Sequence, residues 1–476
     1  MTITDRPTNS TSMLGGAITL PERPCLHGDV RRVRPWIGEP GTAGTVAVVG
    51  VGKMGLPLAA QFASHGWEVL AVDIDELVVE SINEGRAHIS GEPGLAELVA
   101  EAHAAGRLRA TTDGRAASTE ADVIILIVPV MLDAGLQPDY RHMDAAATSV
   151  SGGVRNGATV IIETTLPVGD TRDRYAQLLG SASGLSLDRE LCVAFSPERL
   201  FTGAVIRNLA TYPKLVGGIG PNSTDRAAAF YASVLDAEIV KMSSAEAAEL
   251  SKLADTTYRD VNIAFANELA GYAGRIGVDV QEVIQAANSQ PYSHIHQPGL
   301  GVGGHCIPVY PRFLLARSPD LELVELSRRI NDGQVDVAVN ALEDEFLGIR
   351  ELPVLVLGLT YREGVKELAY SRGLELVARL SSAQADVSAW DPLLSPTEID
   401  RCGARPWTWG TSSGARAIVV QTADPIFRRL DMTWFPYLEV LLDGRNSLRD
   451  ESYPGHVRVL GVGVPPRGNR RRAASS

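Results

Sequence analysis

The residue best suited to covalent chemistry is Cys306, at the end of an unusual loop. Pro298-Gly299-Leu300-Gly301-Val302-Gly303-Gly304-His305-Cys306-Ile307-Pro308 sets four glycines within six residues just before it. Glycine lacks a Cβ, so such backbone can pass close to something flat or bulky. A thiol carried on this loop reads as a nucleophile. A tight turn around an inert buried cysteine fits the loop alone equally well. A second cluster, far upstream, favours the functional reading: Gly50-Val51-Gly52-Lys53-Met54-Gly55, a G-x-G-x-x-G.

The elements around that cluster have the order a dinucleotide needs. Thr45-Val46-Ala47-Val48-Val49 is an apolar run suited to a buried parallel strand. Leu56 to His65 reads as a helix, and Val69-Leu70-Ala71-Val72 as a second strand ending at Asp73. In this βαβ setting Gly50 allows a tight turn, Gly52 lets backbone approach a pyrophosphate, and Gly55 permits close helix–strand packing. Asp73, about 20 residues further on, would bind the ribose hydroxyls and repel a 2′-phosphate, which favours NAD over NADP.

Further buried strands are expected at 121–128, ending in Pro129-Val130, and at 159–162, followed by Glu163-Thr164-Thr165-Leu166-Pro167-Val168-Gly169. Ligands lie beyond the C-terminal strand ends of an open α/β sheet, so Glu163 is expected to point toward the cofactor crevice. Capping of the next helix is the other reading of Glu163. Val193-Ala194-Phe195 leads to Ser196-Pro197-Glu198-Arg199, and Lys214-Leu215-Val216-Gly217-Gly218 closes the first domain. From Thr224 to Val283 the pattern turns helical. A long helix over 245–273 carries Lys252 and Asn262, with Leu250, Leu253, Ala254, Val261, Ala264, Phe265 and Leu269 near a 3.6 period. A helix placed between two α/β domains suits a dimer contact. After the cysteine loop, strands at 354–359, 386–390, 417–420 and 440–446 and a helix at 371–381 give a second α/β block. It lacks a G-x-G-x-x-G, so no second dinucleotide is expected there.

Composition bounds the rest. A chain of 476 residues is too long for one core. Its net charge of −13 argues against non-specific nucleic-acid binding, though helix N-termini can still hold phosphate. Cys25, Cys192, Cys306 and Cys402 form no CxxC pair, which suits a reducing compartment better than a disulfide or zinc framework. With no membrane-length apolar run and no secretory pattern, a cytoplasmic protein is expected. The expected organisation is a flexible lead at 1–43, an NAD domain at 44–223, a helical and cysteine region at 224–325, a second Rossmann-like domain at 326–464 and a flexible tail at 465–476.

Several motifs, in order, resemble the nucleotide-sugar 6-dehydrogenase family, which includes the UDP-glucose and UDP-N-acetylhexosamine dehydrogenases. They are GVGKMGLPLA at 50–59, ETTLPVG at 163–169, SPERLFTG at 196–203, ELSKLADTTYRDVNIAFANELA at 249–270, PGLGVGGHCIP at 298–308, LGLTY at 357–361 and LDGRN at 442–446. The HCIP and SPER forms resemble the N-acetylhexosamine branch more than the glucose branch. The resemblance implies an NAD domain, a central helix and a UDP-sugar domain, usually dimeric. It also implies two successive oxidations that turn a sugar C6 alcohol into a carboxylate with two NAD. By this resemblance Cys306 forms a thiohemiacetal and then a thioester, Lys252 supports the reacting oxygen, and Glu163 helps deliver water. Thr256 joins them as a catalytic candidate. Gly50, Gly52, Lys53, Met54, Gly55, Asp73, Val128 and Thr165 would bind cofactor. Glu198, Arg199, Leu200, Asn262, Gly301, Gly303 and Arg445 would bind the UDP-sugar, with the loop glycines admitting the sugar.

The chain departs from the family pattern where the family has Thr at Val130, Asn at Thr256 and Asp at Tyr310; the later R-E-S-type segment reads Ala369-Tyr370-Ser371. Two outcomes follow. In one, Glu163, Thr256 or Tyr310 takes over the handling of water and full oxidation survives. In the other, oxidation stops at the aldehyde. A non-catalytic nucleotide-sugar binder, and a two-electron dehydrogenase resembling the β-hydroxyacid dehydrogenases, are further alternatives; the latter needs neither the cysteine loop nor the second domain.

Overall fold

The computed structural model describes residues 43–200 and 203–468. Most of the lead, most of the tail and Phe201-Thr202 of the SPER motif lie outside the described residues. An eight-stranded sheet runs in the order Ile239–Lys241, Lys214–Gly218, Leu191–Phe195, Ala158–Ile162, Val123–Leu126, Thr45–Val49, Glu68–Val72, Leu108–Thr111. Its neighbours pair in parallel except Leu191–Phe195 with Lys214–Gly218, which is antiparallel. Apolar, β-branched runs buried on both faces make the central strands Thr45–Val49, Val123–Leu126 and Ala158–Ile162. The chain order reverses between Thr45–Val49 and Val123–Leu126. A ligand crevice is expected at such a switch point, and the glycine turn and Val128 follow these two strands directly.

Helix Pro221–Val234 and strand Ile239–Lys241 belong to this first sheet domain. Phe230, Tyr231 and Val234 fill its core, and Ile239–Lys241 pairs with Lys214–Gly218. The expected boundary at 223 therefore moves past Lys241. The three residues of that strand are too few to interrupt a helical pattern in the sequence.

The long helix spans Ala245–Ile276, 32 residues, capped by the Ser244 hydroxyl and ended by Gly277 in the left-handed region. Helix Glu322–Asp332 packs along it, so the expected break at 325 falls inside that helix. A seven-stranded sheet follows in the order Arg405–Pro406, Asp386–Trp390, Pro353–Leu357, Ala417–Val420, Val440–Asp443, Arg458–Gly461, Val464–Arg467. Only its last pair is antiparallel. Residues 465–467, expected in a flexible tail, form that edge strand; its two prolines are tolerated there because an edge leaves N–H positions unused.

Candidate active site

The first crevice is built to take a dinucleotide. Gly50 has φ +92°, and a Cβ there would sit 2.9 Å from Val128 Cγ2, so only glycine makes this turn. A Cβ on Gly55 would lie 2.0 Å from the Gly50 carbonyl oxygen, which fixes glycine where the helix meets the strand. A Cβ on Gly52 would meet nothing within 4 Å: that face of the loop is open. Helix Gly55–Ser64 has no side-chain cap at its N-cap residue, Met54. The Leu56 amide turns back to the Gly52 carbonyl at 3.1 Å, so the positive end of the helix dipole backs the open turn where an anion would lie. Asp73 Oδ2 accepts the Val51 amide at 3.1 Å, and its Oδ1 accepts that of Asp75 at 3.1 Å. Each oxygen keeps a lone pair for a ribose hydroxyl. These residues fit NAD.

The cysteine loop is fastened to the central helices and to the second domain. The Gly299 amide donates to Asn267 Oδ1 at 3.0 Å, and Arg328 reaches the Ile307 carbonyl. Leu300 N donates to Gly444 O, Gln421 Nε2 to Leu300 O, Gly304 N to Ala369 O, and Arg372 and Arg445 to the carbonyls of Val302 and Gly301. The loop thus lies on the C-terminal edge of the second sheet. Arg445 is anchored by its loop and Gln421 carbonyl bonds, and burial lowers its pKa. A Cβ on Gly303 would come within 2.6 Å of Tyr370 O, and one on Gly301 within 3.1 Å of Arg372 Cγ. A side chain at either position would crowd the second domain, so these glycines have a packing role beside the expected one of admitting the sugar.

Behind the loop is a buried charged network. Arg328 pairs with Asp260 and Asp332, and Asn331 Nδ2 donates to Asp260 Oδ1 at 2.8 Å. Removing one partner of such a pair costs about 3–5 kcal/mol. In front of it, the Cys306 carbonyl accepts the Tyr310 amide at 2.9 Å, which begins helix Tyr310–Arg317 and sets the two side chains together. The Tyr310 phenol lies beside the Cys306 thiol and Thr165; burial, with the thiol next, pushes its pKa up. Lys252 is 6 % exposed, although a helical lysine more often faces water, and its Nζ lies 5.7 Å from the Tyr310 ring centroid. Burial pushes its ammonium pKa down, opposed by the charges of Cys306 and Glu198.

Glu163 does not face the crevice, which corrects that expectation. It is fully buried, 2.8 Å from Lys214 Nζ, and accepts the Tyr231 hydroxyl, so each carboxylate oxygen is bonded inward and turned away from solvent. The carboxyl that turns toward Lys252 and Tyr310 is Glu198. Its Oε1 accepts the Leu200 amide, while its buried Oε2 has no hydrogen-bond partner among the described residues. Burial raises the Glu198 pKa against the opposing charge of Lys214. Arg199 donates to the Pro213 carbonyl. Asn262 holds the loop before the cysteine, donating to His294 O at 2.8 Å and accepting from His296 N at 2.7 Å. Thr256 is fully buried one turn beyond Lys252 and accepts from Arg259. Val130 is core, in one apolar cluster with Val309 and Phe313. Lys53 leaves the glycine turn to pair with Glu367 of the second domain at 2.8 Å, and His305 Nε2 lies 3.3 Å from the same carboxylate.

Sequence reasoning missed Lys214 and Tyr231. The available signal was a lysine opening an otherwise apolar strand, a position that demands a buried counter-charge.

Models of the UDP-glucose/GDP-mannose dehydrogenase family match the chain in all three parts: the NAD binding domain at 44–235, the central domain at 246–333 and the UDP binding domain at 355–450. The UDP-N-acetyl-D-mannosamine dehydrogenase of Pyrococcus horikoshii is 34% identical over 426 residues, 88% of this chain and 99% of that one. An NDP-N-acetyl-D-galactosaminuronic acid dehydrogenase of Ralstonia nicotianae is 35% identical over 71% of this chain and 81% of its own. Among solved structures, the UDP-glucose dehydrogenase of Pyrobaculum islandicum superposes with a TM-score of 0.78 at 26% identity, over 92% of this chain and all of that one.

Proposed function

This chain belongs to the UDP-glucose/GDP-mannose dehydrogenase family, and from that premise we propose that it oxidises the C6 hydroxyl of a UDP-sugar, a UDP-N-acetylhexosamine before UDP-glucose, to the uronic acid. It is an NAD-dependent oxidoreductase. The observation that carries the reading is the meeting of the Cys306 thiol, the Lys252 ammonium, the Tyr310 phenol and the Glu198 carboxyl beside the dinucleotide crevice. The N-acetylhexosamine preference rests on the relatives' names and on the HCIP and SPER motifs.

When bound, NAD supplies the hydride-accepting carbon, one NAD molecule for each of the two oxidations. Lys252 stabilises the oxygen of the alcohol as its proton passes to a solvent water. The Cys306 sulfur then bonds the aldehyde carbon, and the carbonyl pair moves onto the oxygen near Lys252, giving a thiohemiacetal. Loss of the second hydride leaves a thioester. Water guided by Glu198 adds to it, giving one proton to that carboxylate and the other to solvent, and Cys306 departs as thiolate with the carboxylate formed. A covalent nucleophile divides one hard oxidation into easier steps. The UDP moiety lies along the second-domain edge, near Arg445 and the loop. A homodimer forms through the central helix. Its support is the run of half-exposed Tyr258, Phe265 and Tyr272 at a spacing of seven along one face.

The test is a panel of nucleotide sugars with NAD, read by absorbance and by mass spectrometry of the product. A sugar that yields two NADH and a uronate fulfils the proposal. One NADH with aldehyde release replaces it by the truncated reaction, and a silent panel removes it.

A further inference from the structure

We propose that Glu163, Lys214 and Tyr231 form a buried clamp that positions Glu198 and sets the pH range over which it exchanges a proton at the Cys306 site. The proposal rests on the reading of Glu198 given above and assigns roles to three residues that do not themselves reach the reacting atoms.

The geometry is that of a dedicated support. Lys214 Nζ lies 2.8 Å from Glu163 Oε2 and 4.8 Å from the Tyr231 ring centroid, and Tyr231 donates its hydroxyl to Glu163 Oε1. The side chains of Lys214 and Glu163 are 8% and 0% exposed. Glu198 is tied to this clamp through its backbone: its amide donates to the Glu163 carbonyl at 3.3 Å. A buried ion pair costs desolvation that well-packed apolar residues avoid, so it contributes little stability and its placement calls for another reason. Glu198 Oε2, unpartnered among the described residues, supplies one: a carboxyl with an open lone pair, held between charges, is ready to bond a water or a hydroxyl.

The groups facing Glu198 come from five elements. They are Lys214 on its strand, Glu163 after Ala158–Ile162, Tyr231 on Pro221–Val234, Lys252 on the central helix and Tyr310 on Tyr310–Arg317. Lys214 favours the charged form of Glu198 more than Glu163 opposes it. The two halves of the pair therefore act on Glu198 in opposite senses. Glu163→Gln removes a negative charge and frees Lys214 toward Glu198, so the Glu198 titration moves to lower pH. Lys214→Met removes the positive charge that most favours ionised Glu198, so the titration moves to higher pH. Each shift is about one pH unit.

The experiment records kcat/KM for NADH formation against pH in wild type, Glu163→Gln, Lys214→Met and Lys214→Arg. It is paired with infrared titration of the carboxyl band that Glu198→Gln abolishes. Opposite shifts, with Lys214→Arg keeping the wild-type midpoint, are expected. Should Lys214→Met not fold, Glu163→Gln against Lys214→Arg decides. Shifts of one sign, or none, overturn the clamp. The infrared readout needs no turnover, so a silent sugar panel removes the proposed function without deciding the clamp.

Discussion

Replacing Gly303 with alanine separates two explanations of the glycine-rich loop. A Cβ at Gly303 would lie 2.6 Å from Tyr370 O, 3.1 Å from Tyr361 Cβ and 3.3 Å from Ser371 Cα. Ordinary contact begins near 3.4 Å, so the loop or its neighbour must give way by about 0.8 Å. The neighbour is backbone and is itself tied down: Ser371 Oγ donates to the Leu359 carbonyl, and the Tyr370 hydroxyl accepts the Leu132 amide. Overpacking of this kind costs about 1–3 kcal/mol. Most of the movement falls on the loop, and Cys306 is three residues away. A misplacement of order 1 Å at a reacting atom lowers the rate by about 100-fold. We expect Gly303→Ala to lower kcat about 10- to 100-fold in an NADH assay at saturating substrate, with the dissociation constant for NAD unchanged. A loop whose glycine serves only to admit the sugar gives the reverse: a raised KM for the nucleotide sugar at wild-type kcat. That result, or wild-type behaviour throughout, refutes the argument that the second domain holds the thiol in place.

Three other outcomes are expected. Gly52→Ala keeps the wild-type melting temperature, because its methyl enters open space, but weakens NAD binding at least about 10-fold by calorimetry, as the loss of one charge-assisted hydrogen bond requires; Gly55→Ala lowers the melting temperature instead. Tyr310→Phe keeps the ring and removes the hydroxyl beside Cys306; NADH formed per sugar falls below the wild-type value, and an unchanged ratio excludes the phenol from the second oxidation. Burial raises the Glu249 pKa from 4.5 to about 7, even though its carboxylate accepts the Gly169 and Thr171 amides. The folded chain then holds a proton that the unfolded chain has lost. This contribution to stability is complete below pH 4.5 and declines by about 3 kcal/mol as pH rises through 7. Thermal melts from pH 5 to 8 should fall more steeply for wild type than for Glu249→Gln.

The parts of the fold legible in the sequence were those with local signals. The βαβ unit follows from an apolar run, three spaced glycines and an acid. The central helix follows from uninterrupted periodicity, and the reactive loop from glycines around one thiol. What stayed hidden depended on long-range pairing. Glu163 follows a strand end, and nothing local says which side of the sheet its side chain takes. Its partner Lys214 stands on a strand that returns antiparallel, 51 residues later. Glu198 becomes the site carboxyl because that return occupies Glu163. The tail strand at Val464–Arg467 carries two prolines and almost no alternation, so only its pairing with Arg458–Gly461 reveals it.

The stitching of the thiol loop limits how this protein can be divided or recombined. Its backbone is held by Asn267 and Arg328 on one side and by Gly444, Gln421, Ala369, Arg372 and Arg445 on the other. Neither half of the molecule owns the nucleophile. A chimera that borrows its C-terminal half from a relative must import matching residues at 361, 370 and 372 along with it, or the sulfur loses its bearing on the cofactor.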